Sequence, residues 1–157
     1  MMGHMECQTK WVGKLGFEAH VRHHKFLIDG KPEDGGLDQA ATPKEIMLTA
    51  ICTCSGMDVV SILQKMRLNL QSCDVLAQTD TTDTHPKIFK EVKLQYKIVG
   101  PDIKPEQALK AVRLSMTKYC GVSAMVVKAS PIHYEVYVNE AKVGEAYADF
   151  NQEPVTT

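Results

Sequence analysis

The most uniformly apolar part of the chain lies in its first half and begins with signals for the start of a helix. Thr42 suits the N-cap, Pro43 suits the first helical turn, and Glu45 completes a capping-box pattern. Residues 46–57 carry no charge, and their apolar side chains would lie on all sides of a helix. The pattern predicts a central helix that is buried on every side. Asp58 interrupts the apolar run too early for a membrane span.

Alternating apolar and polar residues predict strands on both sides of this helix. The clearest alternation spans residues 92–98, where one face is apolar and the other carries charged and amide side chains. The other predicted strands span residues 11–14, 19–22, 24–29, 74–77 and 132–138. The central helix is predicted over 43–67, and two further helices over 105–118 and 122–127. This order predicts an α+β fold. We expect a single domain over residues 6–139 and a polar C-terminal tail, 140–157, much of it loose.

The charge of the chain is nearly balanced. The 157 residues include 18 Lys and Arg and 19 Asp and Glu, which give a formal net charge of −1. A nucleic acid or an anionic membrane would favour a basic surplus, so we expect neither as a partner. The N-terminus has no apolar segment of the kind found in secretory signals, which predicts a cytoplasmic protein with reduced thiols. The five cysteines are an odd number, which argues against a structural disulfide framework.

Two of the cysteines lie where a reactive thiol could be placed. Cys54 is in the middle of the predicted central helix, where a cysteine is either an inert core residue or a reactive thiol. Cys52 is two residues away and nearly on the opposite side of the helix, so the two cannot form a disulfide. Cys120 follows the predicted helix at 105–118 and precedes Gly121. It is either a core residue at a helix end or a second thiol, placed where glycine allows a close approach.

Two acidic residues and one basic residue are further candidates. Asp58 lies one turn beyond Cys54 on roughly the same helix face, and an acid in an apolar helix needs a partner. Its simplest role is to cap a nearby backbone N–H, just as Glu45 could serve only the capping box. Arg22 lies in a His-rich segment, 20–24, whose spacing does not match a metal site, so we expect neither a metal nor another cofactor.

Two segments around these cysteines together resemble the OsmC/Ohr family. Residues 42–60 resemble the family's central helix, in the branch whose helix reads Cys-Ser/Thr-Gly-Met/Ile-Asp-Val-Val, and residues 118–124 resemble its second-cysteine segment. Their separation and the order of elements also match, from residue 11 to about residue 138. The resemblance implies an OsmC-like fold, in which antiparallel sheets wrap around buried central helices in an intertwined homodimer. A second subunit would cover the sides of the central helix that one thin sheet leaves open.

The resemblance also implies an activity, the thiol-dependent reduction of organic hydroperoxides in defence against oxidative stress. Cys54 would be oxidised to a sulfenic acid, Cys120 would resolve it as a disulfide, and an external dithiol would restore both thiols. Such a reaction needs a thiolate, whereas an ordinary thiol, with a pKa of about 8.5, is mostly protonated at neutral pH. Characterised members use an Arg held by a Glu, and Arg22 and Glu45 are the candidates here. The family Glu directly follows the helix-opening Pro, where this chain has Lys44.

The expected substrate pocket is apolar and is lined by both subunits of the dimer. Met47, Ile51 and Met57 would form its walls near Cys54, with Asp58 beside them. An alternative is a protein on the same scaffold that binds a small apolar ligand or senses redox state without peroxidase turnover, and a purely structural dimer is a third. A cation within hydrogen-bonding reach of Cys54, together with an open path to solvent, would favour the peroxidase.

Overall fold

The computed structural model describes residues 3–151, and the chain divides between Met47 and Leu48 into two compact units. The first unit contains a three-stranded antiparallel sheet of β1 (Gln8–Gly13), β2 (Gly16–Val21) and β3 (His24–Ile28). Tight hairpins connect the strands, and Lys14 and Arg22 adopt the left-handed conformation in them, with φ of 50° and 56°. The three strands predicted before the central helix are thereby confirmed, with shifts of a few residues at their ends.

A carboxylate closes the loop between β3 and the central helix. Asp29 is buried and accepts hydrogen bonds from the backbone N–H groups of Gln39 (3.1 Å), Gly30 (2.7 Å) and Leu37 (3.2 Å). These bonds hold the pKa of Asp29 below its usual value, and the bond from the Gln39 N–H has the largest effect. The loop contains a single 3₁₀ turn, Pro32–Asp34. The charged carboxylate therefore fixes the path of the chain toward the helix.

Helix α1 (Pro43–Lys65) begins where the capping signals predict. The Glu45 carboxylate accepts hydrogen bonds from the backbone N–H and from the hydroxyl of Thr42, at 2.8 and 2.9 Å. The same two bonds lower the pKa of Glu45, the backbone N–H more than the hydroxyl. The predicted capping box is thereby confirmed.

The burial of α1 is uneven in the single chain. One stripe of the helix, with a spacing of four residues, is buried in the core of the second unit: Ile51, Ser55, Val59 and Leu63. The other faces are half-buried or exposed, and Met57 is 72% exposed. In the single chain only one side of the helix is covered, because the sheet of the second unit packs against that side, and the covering of the other faces by a second subunit stays a prediction. Among residues 3–151, α1 is the one helix with the length and hydropathy of a membrane span, a test that core helices also pass.

The second unit contains a four-stranded sheet in the order β4 (Ser72–Gln78), β5 (Val92–Val99), β6 (Ile132–Val138) and β7 (Ala141–Tyr147). β5 and β6 are parallel, whereas the other pairs are antiparallel. The expectation of antiparallel sheets is wrong for this one pair, because a helical crossover connects the two strands. The crossover consists of α2 (Pro105–Leu114), a π-helical turn (Ser115–Tyr119) and α3 (Gly121–Val126).

The core of the second unit lies between its sheet and its helices. Every second side chain of β5 and β6 is buried, and these side chains meet the buried stripe of α1 and the apolar face of α2. The inward side chains of the two strands are Val92, Leu94, Tyr96, Ile98, Ile132, Tyr134, Val136 and Val138. The predicted alternation of both strands and the α+β class are thereby confirmed.

The chain after β6 forms a strand where the sequence predicts a loose tail. Asn139 and Glu140 have φ of 47° and 73°, the left-handed values of a two-residue hairpin turn, and β7 then pairs along β6. The prediction of a loose tail from residue 140 is therefore wrong over residues 141–147. The polarity that suggested a tail belongs to an edge strand, whose charged side chains face solvent. Residues 152–157 of the predicted tail lie outside the described residues.

Candidate active site

Two thiols from distant parts of the sequence meet beside α1. Cys54 is half-buried on the helix, and Cys120, which follows the π-helical turn, has no exposed surface. The Cys54 side chain lies near enough to Cys120 to help raise the pKa of that thiol, and both are free thiols. Since both residues belong to the second unit, the packing of that unit alone creates the pair. Two adjacent thiols are a candidate for reversible disulfide chemistry.

The π-helical turn sets the position of Cys120. The backbone N–H of Cys120 donates to the carbonyl oxygen of Ser115 at 3.0 Å, which closes the turn. Cys120 then caps α3, because its Sγ accepts a hydrogen bond from the Ser123 N–H at 3.4 Å and its S–H donates to the Ser123 hydroxyl at 3.1 Å. A Cβ on Gly121 would meet no atom within 4 Å, so the interpretation that this glycine allows a close approach is wrong.

The two thiols differ in their surroundings. Burial raises the pKa of Cys120 to about 11; the hydrogen bonds of Ser123 oppose this shift, and the contact with Cys54 adds to it. Cys120 is therefore a protonated thiol at neutral pH, and its one S–H donates to the Ser123 hydroxyl. Cys54 is the more exposed of the two. The arrangement favours Cys54 as the first thiol to meet a reactant from solvent.

A buried pair of hydroxyl groups anchors the helix next to Cys54. Tyr96 of β5 has no exposed surface, and its hydroxyl donates to Ser55 Oγ at 2.8 Å. Ser55 in turn donates to the carbonyl oxygen of Ile51 at 2.9 Å. Burial raises the pKa of Tyr96 well above its usual value, although the Ser55 bond opposes this. The neutral phenol therefore fixes α1 to the sheet and is not placed to act as a base.

Asp58 contacts the same turn that carries Cys120. Its Oδ2 accepts a hydrogen bond at 2.9 Å from the hydroxyl of Ser115, a residue with no exposed surface. The interpretation that Asp58 caps a backbone N–H is therefore wrong, since its partner is a side chain. The sequence reasoning did not single out Ser115, although a serine on the apolar stripe of α2 and its extension is a recognisable signal of a buried hydrogen bond.

Several of the other predicted site residues belong to the first unit. Arg22 is exposed in the hairpin between β2 and β3, Glu45 forms the capping box, and Met47 is the last residue of that unit. Ile51, in the second unit, has no exposed surface and packs in the core. The expectation that Ile51 walls an open pocket is therefore wrong, because that side chain fills the contact between α1 and the sheet. The roles of Arg22 and Glu45 toward Cys54 stay predictions.

A groove of about 550 Å³ lies between α1 and β4. Its lining includes three apolar side chains and two thiols, Met57, Val60, Val75, Cys52 and Cys73. Burial is the main cause that raises the pKa of Cys73 to about 11, so this thiol is neutral at physiological pH. Met57 lines this groove but Cys54 does not, so the expected role of Met57 in a pocket at Cys54 stays a prediction.

The residues of the His-rich segment make local contacts with one another and with a glutamate. Over residues 3–151, no three His, Cys, Asp or Glu side chains are grouped so that they could hold a metal ion. In the His-rich segment the rings of His23 and His24 lie with their centroids 4.0 Å apart, and His20 Nε2 lies 2.6 Å from Glu18 Oε1.

The chain is similar to known proteins in sequence and in fold. The model of the OsmC-like protein family matches residues 35–135. Protein YhfA of Escherichia coli K12 is 37% identical over 135 residues, which cover 84% of this chain and 98% of YhfA. The crystal structure of a hypothetical protein from Aquifex aeolicus VF5 is 28% identical, with a TM-score of 0.78, and the match covers 88% of this chain and 98% of that one. The organic hydroperoxide resistance protein OsmC from Legionella pneumophila, at 13% identity and a TM-score of 0.62, shares the fold over 88% of this chain and 98% of its own.

Proposed function

This chain belongs to the OsmC-like protein family, and we propose that its Cys54 and Cys120 reduce organic hydroperoxides. The observation that carries the proposal is the contact between these two thiols, one half-buried and one fully buried, within a single unit. The choice of oxidant is supported by the family and by the hydroperoxide-resistance protein that shares the fold. The protein would thus serve in defence against oxidative stress.

The reaction has two chemical steps. In the first, the Cys54 thiolate attacks the terminal oxygen of the hydroperoxide ROOH, the O–O bond breaks, and the alkoxide takes a proton and leaves as the alcohol ROH. In the second, the sulfur of Cys120 attacks the resulting sulfenic acid, an S–S bond forms, and the hydroxyl group leaves with the Cys120 proton as water. An external dithiol then reduces the disulfide by exchange and is itself oxidised. Because the cycle must return to free thiols, we propose a reducing compartment, the cytoplasm.

The surroundings of the two sulfurs support these roles. Cys120 is buried and has a pKa of about 11, so it stays protonated and does not compete for the peroxide. Its S–H donates to the Ser123 hydroxyl, and we infer that it turns to the Cys54 sulfur when that thiol ionises, because a bond to an ionised acceptor is stronger than one between neutral groups. Residues 46–57 carry no charge, so a cation must come from another segment. We propose Arg22, oriented by Glu45, as that source, on the strength of the family resemblance.

We also propose that the protein is a homodimer. Large apolar side chains are exposed on each unit, and exposed apolar side chains commonly mark an interface where they form a patch. They include Trp11, Phe17 and Phe26 in the first unit and Met57 and Met125 in the second. A second copy of the chain would cover them, together with the open faces of α1. Light scattering at micromolar concentration tests this, and a stable monomer would contradict it.

The activity is tested by peroxide consumption with a small dithiol as the recycling reductant. The wild type should consume cumene hydroperoxide faster than hydrogen peroxide, because the helix around Cys54 is apolar, and Cys54→Ser should abolish consumption. Cys73→Ser is the matched control, since Cys73 is a partly buried thiol of the same unit outside the pair, and it should retain nearly all activity. Consumption by Cys54→Ser at the wild-type rate would refute the proposal.

A second candidate function, the binding of a small apolar molecule, is favoured by the groove beside Met57. Its volume of about 550 Å³ lies within the range of small-molecule sites. Binding there would not involve Cys54, which does not line the groove. Titration with an apolar fluorophore, in the wild type and in Met57→Gln, tests this function. Binding that is weakened by Met57→Gln, in a protein that consumes no peroxide, would favour the binding protein over the peroxidase.

A further inference from the structure

A hydrogen bond between two side chains joins α1 to the turn that carries Cys120. The hydroxyl of Ser115 donates to Asp58 Oδ2 at 2.9 Å, and Ser115 has no exposed surface. A buried hydroxyl that loses its partner is costly, and a carboxylate is a stronger acceptor than a neutral group. The bond is therefore a specific attachment of the π-helical turn to α1.

Ser115 transmits this attachment to Cys120 through the backbone. The carbonyl oxygen of Ser115 accepts the N–H of Cys120 at 3.0 Å, in the bond that closes the turn. The side chain of Ser115 is thus held by α1 while its main chain holds Cys120. At the other side, Ser123 binds the Cys120 sulfur through its N–H and its hydroxyl. The Cys120 sulfur is therefore positioned from two sides, by the Asp58–Ser115 bond to α1 and by the Ser123 bonds at the start of α3.

Asp58 and Cys54 belong to the same helix and are one turn apart, so they share a face. One face of α1 therefore carries both the thiol that would be oxidised first and the acceptor that anchors the segment of the second thiol. A rigid helix fixes the spacing between these two groups. The separation of the two sulfurs then depends on whether the bond between Asp58 and Ser115 is present.

We propose that Asp58 and Ser115 are positioning residues that hold Cys120 against Cys54 for disulfide formation. The proposal rests on the proposed function for the identity of the oxidant, but not for the existence of the thiol pair. Asp58 does not touch the reacting atoms in this scheme. It acts through Ser115, and its loss should slow the resolution of the sulfenic acid without changing its formation.

The first experiment measures the stability of the Cys54–Cys120 disulfide in glutathione redox buffers, with the oxidised fraction determined by peptide mass spectrometry. Asp58→Ala and Ser115→Ala should each lower the equilibrium constant for disulfide formation about tenfold, because the closeness of the two sulfurs sets that constant. Asp58→Asn retains an acceptor and should recover most of the loss. The double variant Asp58→Ala/Ser115→Ala should be no worse than either single one, because the two residues act through one bond.

The matched control is Ser130→Ala. Ser130 is also buried in the second unit, and its hydroxyl donates to the carbonyl oxygen of Phe89 at 2.8 Å, but it does not bind the turn that carries Cys120. Its variant should lose some thermal stability and keep the wild-type disulfide equilibrium. If Ser130→Ala and Ser115→Ala shift the equilibrium equally, or if Asp58→Ala leaves it unchanged, the positioning role is refuted. If Asp58→Ala fails to fold, Ser115→Ala and Asp58→Asn still decide the question.

A second experiment separates the two chemical steps. One equivalent of cumene hydroperoxide is added to the reduced protein, and the sulfenic acid is trapped with dimedone. Ser115→Ala should consume peroxide at the wild-type rate but give several-fold more trapped Cys54 and less disulfide. If the wild type consumes no hydroperoxide, the proposed function fails, while the glutathione equilibrium still tests the positioning of Cys120. If peroxide is consumed but trapping is the same in Ser115→Ala and wild type, the positioning role fails and the function stands.

Discussion

Removing the Ser55 hydroxyl should destabilise the protein more than removing the Tyr96 hydroxyl, although both changes break the same 2.8 Å hydrogen bond. The two groups are not equivalent. The Ser55 hydroxyl also donates to the carbonyl oxygen of Ile51 at 2.9 Å, and the carbonyl oxygen of Cys52 lies 3.3 Å from it. Ser55 therefore keeps a partner when the Tyr96 hydroxyl is absent. The Tyr96 hydroxyl is buried between α1 and the sheet, and in the described part of the chain its partner is Ser55.

The magnitudes follow from this asymmetry. Tyr96→Phe removes one member of the bond and leaves no buried polar group alone, so the free energy of unfolding should fall by about 0.5–1.5 kcal/mol. Ser55→Ala leaves the phenol buried without a partner, which costs about 1–3 kcal/mol. Adding Tyr96→Phe to Ser55→Ala removes the orphaned hydroxyl. The double variant should therefore be more stable than Ser55→Ala alone, by about 1 kcal/mol.

The assay is urea unfolding of the fully reduced protein, followed by circular dichroism. All four proteins must be compared at the same concentration, because the stability of the proposed dimer would depend on it. Equal dependence of the unfolding free energy on urea would show that the variants unfold the same structure. A Tyr96→Phe variant as unstable as Ser55→Ala, or a double variant that is less stable than both, would refute the reasoning.

The site and the packing lead to further predictions. Cys120→Ser should leave the Cys54 sulfenic acid without a resolving thiol, and mass spectrometry after excess peroxide should then find sulfinic acid at Cys54. Raising the pH from 8 to 10 should lower the free energy of unfolding by an amount on the order of 1 kcal/mol per buried thiol. Cys73 and Cys120 have pKa values of about 11 in the folded protein, so they keep protons there that they lose in the unfolded chain. Urea midpoints against pH measure this, and Cys73→Ala should flatten the curve. Gly100→Ala should lower the free energy of unfolding by about 1–3 kcal/mol, measured by thermal unfolding, because the added Cβ would lie 2.4 Å from a backbone oxygen. Gly121→Ala is the control and should leave the stability unchanged, because its Cβ would meet no atom within 4 Å.

Local signals in the sequence were sufficient for the elements that depend on them. The capping box of Thr42 and Glu45 marks the start of α1, and the alternation of residues 92–98 marks a strand with one buried face. Both patterns act within a few residues, so they can be interpreted without the rest of the fold. The α+β class followed from the order of such elements.

Features that depend on tertiary contacts were missed. The sequence predicts a continuous helix over 105–118, but the chain changes to a π-helical turn at Ser115, where Asp58 binds the side chain. The hairpin at Asn139 and Glu140 has no glycine, so its turn was not recognised and β7 was predicted as a loose tail. In each case a partner far away in the sequence, or an uncommon backbone conformation, decides the local structure.

In the proposed reaction, the difference in burial between the two thiols would also set the order of the steps. Cys120 has no exposed surface and stays protonated, so an oxidant from solvent would reach Cys54 first. Once Cys54 is a sulfenic acid, the attacking thiol must already be close, because resolution competes with further oxidation by a second peroxide. Burial therefore has two effects on Cys120: it protects that thiol from the oxidant and holds it at short range. The same packing would be of no use to a protein that only binds an apolar ligand, which makes the contact between these two sulfurs the stronger argument for the peroxidase.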